Sequence, residues 1–325
     1  MAANTLTKPL DALASTTLEK VRPVMADNIF KGNPVLFKLY DKRQVDDGGL
    51  LIAEPLMYAT STTAKWMASG YDTLDTTAQE GISQATFTWK NLTATISISA
   101  QERRRNSGDT AVLNLLKGKI AQAEMTLREI VGKEILQAPA SKDPNSLTGL
   151  GDIIDNADPP ATTVGGINPA TYTWWRNQVE DPVTNSWKVF LAQLYIKCTE
   201  GREHPDLTVT TKAVYGNLEA QMAGQVRVTS KEFDDFGYDN VLYKGMPIVA
   251  DFFCEAGLLY MINTNFIRLH VHREADFAVT PFQKPVNQQA LIAAIDWEGQ
   301  LTVNNRRFHG VNVTTALSAT VPSAW

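Results

Sequence analysis

The longest regular alternation of apolar and polar positions runs from Thr110 to Gln137. Val112, Leu116, Ile120, Ala123, Leu127 and Ile130 fall three or four apart, with Lys117, Lys119, Gln122, Arg128 and Lys133 on other faces. That period predicts one amphipathic helix, with Asp109 as its N-cap and Pro139 as its stop. At about 1.5 Å per residue it would extend roughly 40 Å, longer than most globular domains require and suited to an elongated, flat subunit.

Ahead of this helix the period is two. After the DDGG turn at Asp46 to Gly49, the residues from Leu50 to Ser99 are rich in Thr, Ser, aromatic and branched side chains. They predict a strand, a long polar tip around Ser69 to Ser83, and a returning strand. On the return, Phe87 and Trp89 alternate with threonines, and the apolar set then changes parity to Leu92, Ala94, Ile96 and Ile98. A bulge or bend near Asn91 accounts for that change, because a one-residue slip turns the apolar set to the opposite face. A hairpin so polar at its tip cannot pack on its own base and is expected to project. Before it, Leu10, Leu13, Leu18 and Val21 form a short amphipathic pattern interrupted by Pro23. Ile29, Phe30, Val35, Leu36, Phe37 and Leu39 follow, too few for a core of their own. This segment reads as an arm that lies on the chain's own body or on another copy.

Beyond the helix, Ser141 to Ile167 is dominated by Pro, Gly, Asp and Thr and is the strongest candidate boundary. It leads into GGINPATYTWWRNQ, with Trp174 beside Trp175. The pattern then predicts a helix through Pro182 to Thr199, a strand at Leu207 to Thr211 and a helix near Ala213 to Met222. Strands follow in MPIVAD, GLLYMIN and FIRLHVH, and two further alternating segments in ALIAAIDW and QLTVNNRR. The class is α+β, with strands on both sides of one long helix.

Composition narrows the function. Of 325 residues 44% are apolar and 20% charged, the globular norm, and the formal charge of −5 gives no basic field for collecting phosphate backbones. No segment approaches the roughly 20 apolar residues that span a bilayer, and the first twenty residues lack a signal-peptide core, so a cytosolic product without an anchor is expected. Cys198 and Cys254 have neither disulfide-framework nor zinc spacing and read as buried small hydrophobes.

Catalytic motifs are missing: there is no phosphate-cradling glycine loop, no nucleophile elbow and no paired-histidine zinc helix. His270 and His272 share one face of a strand at a spacing open to a metal, against the plainer reading of two satisfied or surface histidines. Glu232, Asp234, Asp235 and Asp239 could hold a cation or act as an acid/base pair, but lack a calcium-loop pattern and read as a solvated acidic loop. Arg103 to Arg105 read as an exposed turn. Trp66, Met67 and Tyr71 on the hairpin suit an anchor into a neighbour better than a sugar platform. Trp174 and Trp175 either close a core beneath the Pro/Gly loop, with Tyr172 and Arg176 at its edge, or line a binding site. No catalytic, cofactor-binding or metal-binding residue is assigned, and a non-enzyme is expected.

A long helix, a projecting hairpin, an arm without a core and no catalytic cluster describe a subunit covered by other copies. The sequence also resembles the major capsid proteins of tailed double-stranded DNA bacteriophages, with the Hong Kong 97-type fold. The resemblance spans nearly the whole chain and rests on the order of NPVLFKL, AKWMASGYDTLDTT, ATFTWKNLTATISIS, NSGDTAVLNLL, TVGGINPATYTWWRNQ and GQLTVNNRRFHG.

The resemblance implies an N-terminal arm over 1–48 and an extended E-loop over 49–84. It further implies a peripheral domain built from 85–147 and 265–325 and an axial domain over 148–264. It places subunit interfaces at Trp66, Met67, Tyr71 and Leu74 of the E-loop and at Ile29, Phe30, Leu36 and Phe37 of the arm. Tyr172, Trp174 and Trp175 become the brace where the axial domain begins. The implied function is self-assembly into pentamers and hexamers of an icosahedral head that encloses double-stranded DNA without reading its sequence, formed in the bacterial cytoplasm and resident in the virion. It implies no cofactor and no membrane, and a portal and a decoration protein as further partners. The arm begins just before its first amphipathic pattern, so a separate scaffold protein is expected rather than a cleaved segment. No local signature marks Lys65 or Lys90 for cross-linking, so closure is expected to be non-covalent. Another virion structural protein, a carboxylate-dependent hydrolase built on Asp234 and Asp235, and a carbohydrate-binding module are the competing classes.

Overall fold

The computed structural model describes residues 32–105, 109–182, 187–222 and 240–313, with side chains left aside at 103–105, 109–116, 187–188, 221–222 and 240. In chain order the elements are α1 (Pro34–Asp41), β1 (Gln44–Asp46), β2 (Ile52–Met57), β3 (Ile82–Phe87), β4 (Lys90–Ser99), α2 (Ala100–Arg105) and α3 (Asp109–Leu136). Then come α4 (Leu150–Ile153), β5 (Gln178–Glu180), α5 (Trp187–Lys197), β6 (Leu207–Thr210), α6 (Lys212–Met222), β7 (Asn240–Tyr243) and β8 (Met246–Ala250). The described residues close with β9 (Leu259–Ile262), β10 (Ile267–His272), β11 (Ala278–Val279), β12 (Ala290–Val303) and β13 (Gly310–Asn312).

The described residues divide into two compact units, one within Asn91–Val131 and Val271–Glu298, the other within Asn33–Lys90, Gly132–His270 and 299–313. In the first unit β11 pairs antiparallel with β12, Ala278 opposite Asp296 and Val279 opposite Ile295, and β4 also pairs with β12. Ile96, Leu127 and Ile295 form the buried centre, with Leu92, Ala94, Ile120, Ala123, Phe277 and Phe282 packed against them. The alternation in β4 thus points the apolar row of even positions inward, as the sequence predicts. The parity change falls where β3 ends at Phe87 and β4 begins at Lys90, slightly before Asn91. The long helix runs Asp109–Leu136, within one residue of the expectation at either end.

Two expectations need correction. Arg103 to Arg105 do not form a turn but are the last residues of α2. Glu102 N–H donates to Ser99 Oγ at 3.1 Å and Ser99 N–H to Glu102 Oε2 at 2.9 Å, a reciprocal capping box that starts this helix. The segments ALIAAIDW and QLTVNNRR are not two strands: Ala290–Val303 is one strand of 14 residues. Gly299 does not interrupt it, because a glycine inside a strand weakens pairing without forcing a turn.

The second unit is built on a six-stranded sheet in the order β5-β13-β9-β6-β8-β7. β6 pairs antiparallel with β9 and parallel with β8, and the connection from β6 to β8 carries α6, as a parallel crossover requires. Every residue of β6 and β9 is buried. Such strands can bury threonines only if the hydroxyls are bonded, and Thr210 Oγ1 donates to Leu258 O at 2.8 Å. Phe190, Leu191 and Leu194 of α5 and Val214 and Leu218 of α6 pack against Met246, Ile248, Leu259 and Met261. Gly310 makes this packing possible, since a Cβ there would meet Cys198 Sγ and Leu194 Cδ1 at 2.6 Å. Both cysteines are buried and unpaired, as predicted, and desolvation drives their thiol pKa values far upward.

Arg306 is fully buried yet organises three segments of this unit. Its guanidinium donates to Ile153 O at 2.7 Å, Thr162 O at 3.1 Å and Asn177 Oδ1 at 3.2 Å. Burial lowers its pKa to about 10, opposed by the Asp155 carboxylate. Asp155 is itself held below the usual carboxylate range: desolvation works against its charge, but the N–H groups of Ala157, Ala161 and Thr162 and the Thr162 hydroxyl outweigh it.

Candidate functional site

The hairpin belongs to the second unit. β2 and β3 pair antiparallel from Ile52 opposite Phe87 to Met57 opposite Ile82, and Tyr58 N–H reaches Gly81 O at 3.0 Å. Along β2 burial alternates strictly, with Ile52, Glu54 and Leu56 inward, and Ala85 and Phe87 are buried on β3. Beyond Tyr58 the strands separate into a wide loop that its own polar side chains hold. Gln79 Oε1 accepts from the Thr62 N–H at 3.1 Å and its hydroxyl at 2.7 Å. Asp72 Oδ2 accepts from the N–H groups of Ala68 at 2.6 Å and Ser69 at 3.3 Å, which hold its pKa below the ordinary value. Lys65 Nζ donates to Thr73 O within the same loop.

Beside this polar network the large apolar side chains are left in solvent. Trp66 is 101% exposed, Tyr71 97%, Leu74 73% and Met67 47%. Burying each such side chain on a partner contributes on the order of 2 kcal/mol before ordering costs. Of the arm residues, Ile29 and Phe30 lie outside the described residues. Leu36 and Phe37 are half-buried on α1, whose Val35 and Leu39 are buried within the chain's own second unit. The Asn33 side chain caps α1 through Leu36 N–H at 2.8 Å and sits where a Cβ on Gly132 would collide with it.

The tryptophan pair lies at the root of the hairpin. Thr173–Trp175 is a single 3-10 turn. Trp175 is buried and its Nε1–H donates to Val164 O at 3.1 Å. Trp174 meets Trp175 edge-on at 5.6 Å and stacks on Tyr58 at 5.1 Å with the planes 13° apart. Tyr172 stays half-exposed, 6.2 Å from Trp174. Gly165 O accepts from Thr86 N–H at 3.0 Å, and Gly165 and Gly166 turn the chain with φ of +60° and +79°. A Cβ on Gly165 would stand 2.6 Å from Ala85 Cβ. Trp175 therefore closes a core, and the partly exposed Trp174 stacks on the neck of the hairpin. Sequence reading names both tryptophans but not Tyr58, whose only local sign is an aromatic ring where β2 ends.

A second cluster under the same root is missed by the sequence. His270 is buried between two carboxylates, Nδ1 2.5 Å from Asp46 Oδ2 and Nε2 3.1 Å from Glu54 Oε1. Glu54 Oε1 also accepts from Thr302 Oγ1 at 2.9 Å. The available signal was Glu54 itself, a carboxylate at an inward position of an alternating strand, which demands a donor. His272 instead accepts from Glu274 N–H at 3.2 Å. Among the described residues no group of three or more His, Cys, Asp or Glu side chains is placed to hold a metal ion. The acidic group Glu232, Asp234, Asp235 and Asp239 lies outside the described residues. Among the described residues no helix is long and apolar enough to cross a membrane.

No family model and no curated protein matches the chain. Solved structures do. The chain is similar to the cyanophage A-1(L) capsid asymmetric unit, with a TM-score of 0.72 at 15% identity over 91% of this chain and 96% of that one. It is also similar to a structure from Mycobacterium phage Bobi, TM-score 0.57 at 10% identity over 93% and 96% of the two chains. The capsid of the native GTA particle gives 0.56 at 11% identity over 90% and 95%. At such identities the likeness speaks for the fold, and it covers these chains almost end to end: this polypeptide has the α+β Hong Kong 97-type capsid fold.

Proposed function

We propose that the chain is the major capsid protein of a tailed bacteriophage, assembling as pentamers and hexamers into an icosahedral head around packaged double-stranded DNA. The observation that carries this reading is the hairpin tip, where Trp66, Tyr71 and Leu74 stand in solvent on a loop whose polar side chains bond one another. A monomer gains nothing from that exposed apolar area; a lattice of copies does. On this reading 49–84 is the E-loop, 1–48 the arm, 148–264 the axial domain, and 85–147 with 265–325 the peripheral domain.

Trp66, Met67, Tyr71 and Leu74 then anchor on a neighbouring copy, joined by Ile29, Phe30, Leu36 and Phe37 of the arm, while Tyr172, Trp174 and Trp175 brace the neck. Modest contacts suffice, because closure of the shell makes successive associations effectively intramolecular. The acidic balance suits a wall past which DNA must slide. A separate scaffold, a portal and a decoration protein complete the assembly, closure is non-covalent, and the protein catalyses no reaction. Expression followed by negative-stain imaging tests the reading: particles or capsomers are expected, and a compact monomer at high concentration would overturn it.

A further inference from the structure

Between Asp46 on β1 and Glu54 on β2 the chain passes through the turn that feeds the hairpin, where Gly48 and Gly49 have φ of +124° and +132°. His270 on β10 touches both sides of that turn. Its ring and Glu54 are nearly excluded from water, with side chains 5% and 9% exposed, while Asp46 is 26% exposed. The remaining groups around the ring are the Thr302 hydroxyl from β12, which donates to Glu54, and Arg268 on β10, whose charge also favours the Glu54 carboxylate.

Both ring nitrogens therefore face oxygen acceptors. A neutral imidazole has one N–H and one lone pair, so it can satisfy only one carboxylate and must aim its lone pair at the other. An imidazolium donates to both. Burial opposes that charge, but the hydrogen bonds to Glu54 and Asp46 and their negative charges outweigh it and raise the His270 pKa above its ordinary value. Glu54 behaves correspondingly: desolvation raises its pKa, but the bonds from His270 and Thr302 with the charges of His270 and Arg268 bring it below the usual value.

We propose that His270 is a proton-operated clasp at the root of the hairpin: doubly protonated, it ties β1 and β2 to β10, and losing its Nδ1 proton to solvent frees Asp46 and the glycine turn that follows. Asp46 is the partner that leaves because it already reaches water, whereas Glu54 keeps Nε2–H, Thr302 and Arg268. The clasp is closed below the ordinary imidazole pKa and opens as the pH rises through the raised value. The hairpin, whatever it docks against, then swings from a looser hinge in alkaline solution.

The test uses the full chain, unassembled, with ¹⁵N-labelled histidine. The expected result is a His270 imidazolium at pH 6.5, a titration midpoint above it, and an Nε2–H tautomer at high pH. Hydrogen exchange over residues 44–57, corrected for its intrinsic pH dependence, should accelerate about fivefold at the same midpoint, the change expected for one lost hydrogen bond, while β6 and β9 stay unchanged. Asp46→Asn should lower the midpoint and abolish the exchange step; His270→Gln should give the fast exchange at every pH. A neutral ring at pH 6.5, or an exchange step that survives in Asp46→Asn, would overturn the proposal. If His270→Gln does not fold, Asp46→Asn, at a partly exposed position, decides alone. None of these measurements depends on whether particles form.

Discussion

The six-stranded sheet and the hairpin tip are parts of the same unit that solve opposite problems. In β6 and β9 no side chain reaches solvent, the threonines are bonded internally, and a single missing methyl group at Gly310 lets α5 close on the sheet. At the tip polar groups bond one another at the surface and the indole of Trp66 stands in solvent. Hydrophobic burial stabilises the first region on its own, whereas the second leaves its apolar side chains in solvent, where on the proposed function another copy would cover them. Stability and association should therefore separate cleanly on mutation.

Acid should break the closed region first and most. His309 is completely buried, its Nδ1 accepts from Asn263 N–H at 3.2 Å, and burial followed by the nearby Arg306 charge lowers its pKa to about 3. The unfolded chain binds that proton from about pH 6.5 downward and the folded one does not, so stability falls as pH drops from about 6.5 towards 3. Glu54 and Asp155, both depressed, add to the loss below their ordinary values. Denaturant titrations from about pH 6.5 to 4, below the range in which His270 titrates in the folded chain, should show a steadily falling midpoint; a flat profile would contradict the buried neutral His309.

Trp175→Ala should cost about 3–5 kcal/mol in the same assay, through the cavity and the donor lost to Val164 O. Gly165→Ala should cost roughly 1–3 kcal/mol, because the new methyl meets Ala85 and the positive φ disfavours it. Trp174→Ala removes the stack on Tyr58 and should cost about 0.5–1.5 kcal/mol, with faster hydrogen exchange at the hairpin neck. Trp66→Ser should change stability by no more than about 0.5 kcal/mol and yet abolish particles in negative stain. Normal particles from that variant would erase the contrast between the two regions.

Much of this was legible from local patterns. The long helix is found within one residue because its period and its flanking Asp109 and Pro139 all lie in one stretch of chain. The strands β6, β8, β9 and β10 fall within the predicted segments for the same reason. The capping box of α2 is also local, Ser99 with Glu102, but three consecutive arginines masked it as a turn. The clasp was not legible. Asp46, Glu54, His270 and Thr302 come together only when strands far apart in sequence take their register, and the period of one strand says nothing about which residue of another will face it. Tyr58 was hidden likewise, an ordinary aromatic until the turn at Gly165 brings the loop onto β3 and Trp174 onto its ring.

The bonds from Gln79 to Thr62 and from Asp72 to the backbone at Ala68 and Ser69 have a thermodynamic corollary. A loop rehearsed into its shape by its own side chains surrenders little freedom when it docks, so more of each apolar contact survives as net affinity. On the proposed function, Gln79→Ala should weaken docking by making the free loop roam among conformations it must abandon on arrival.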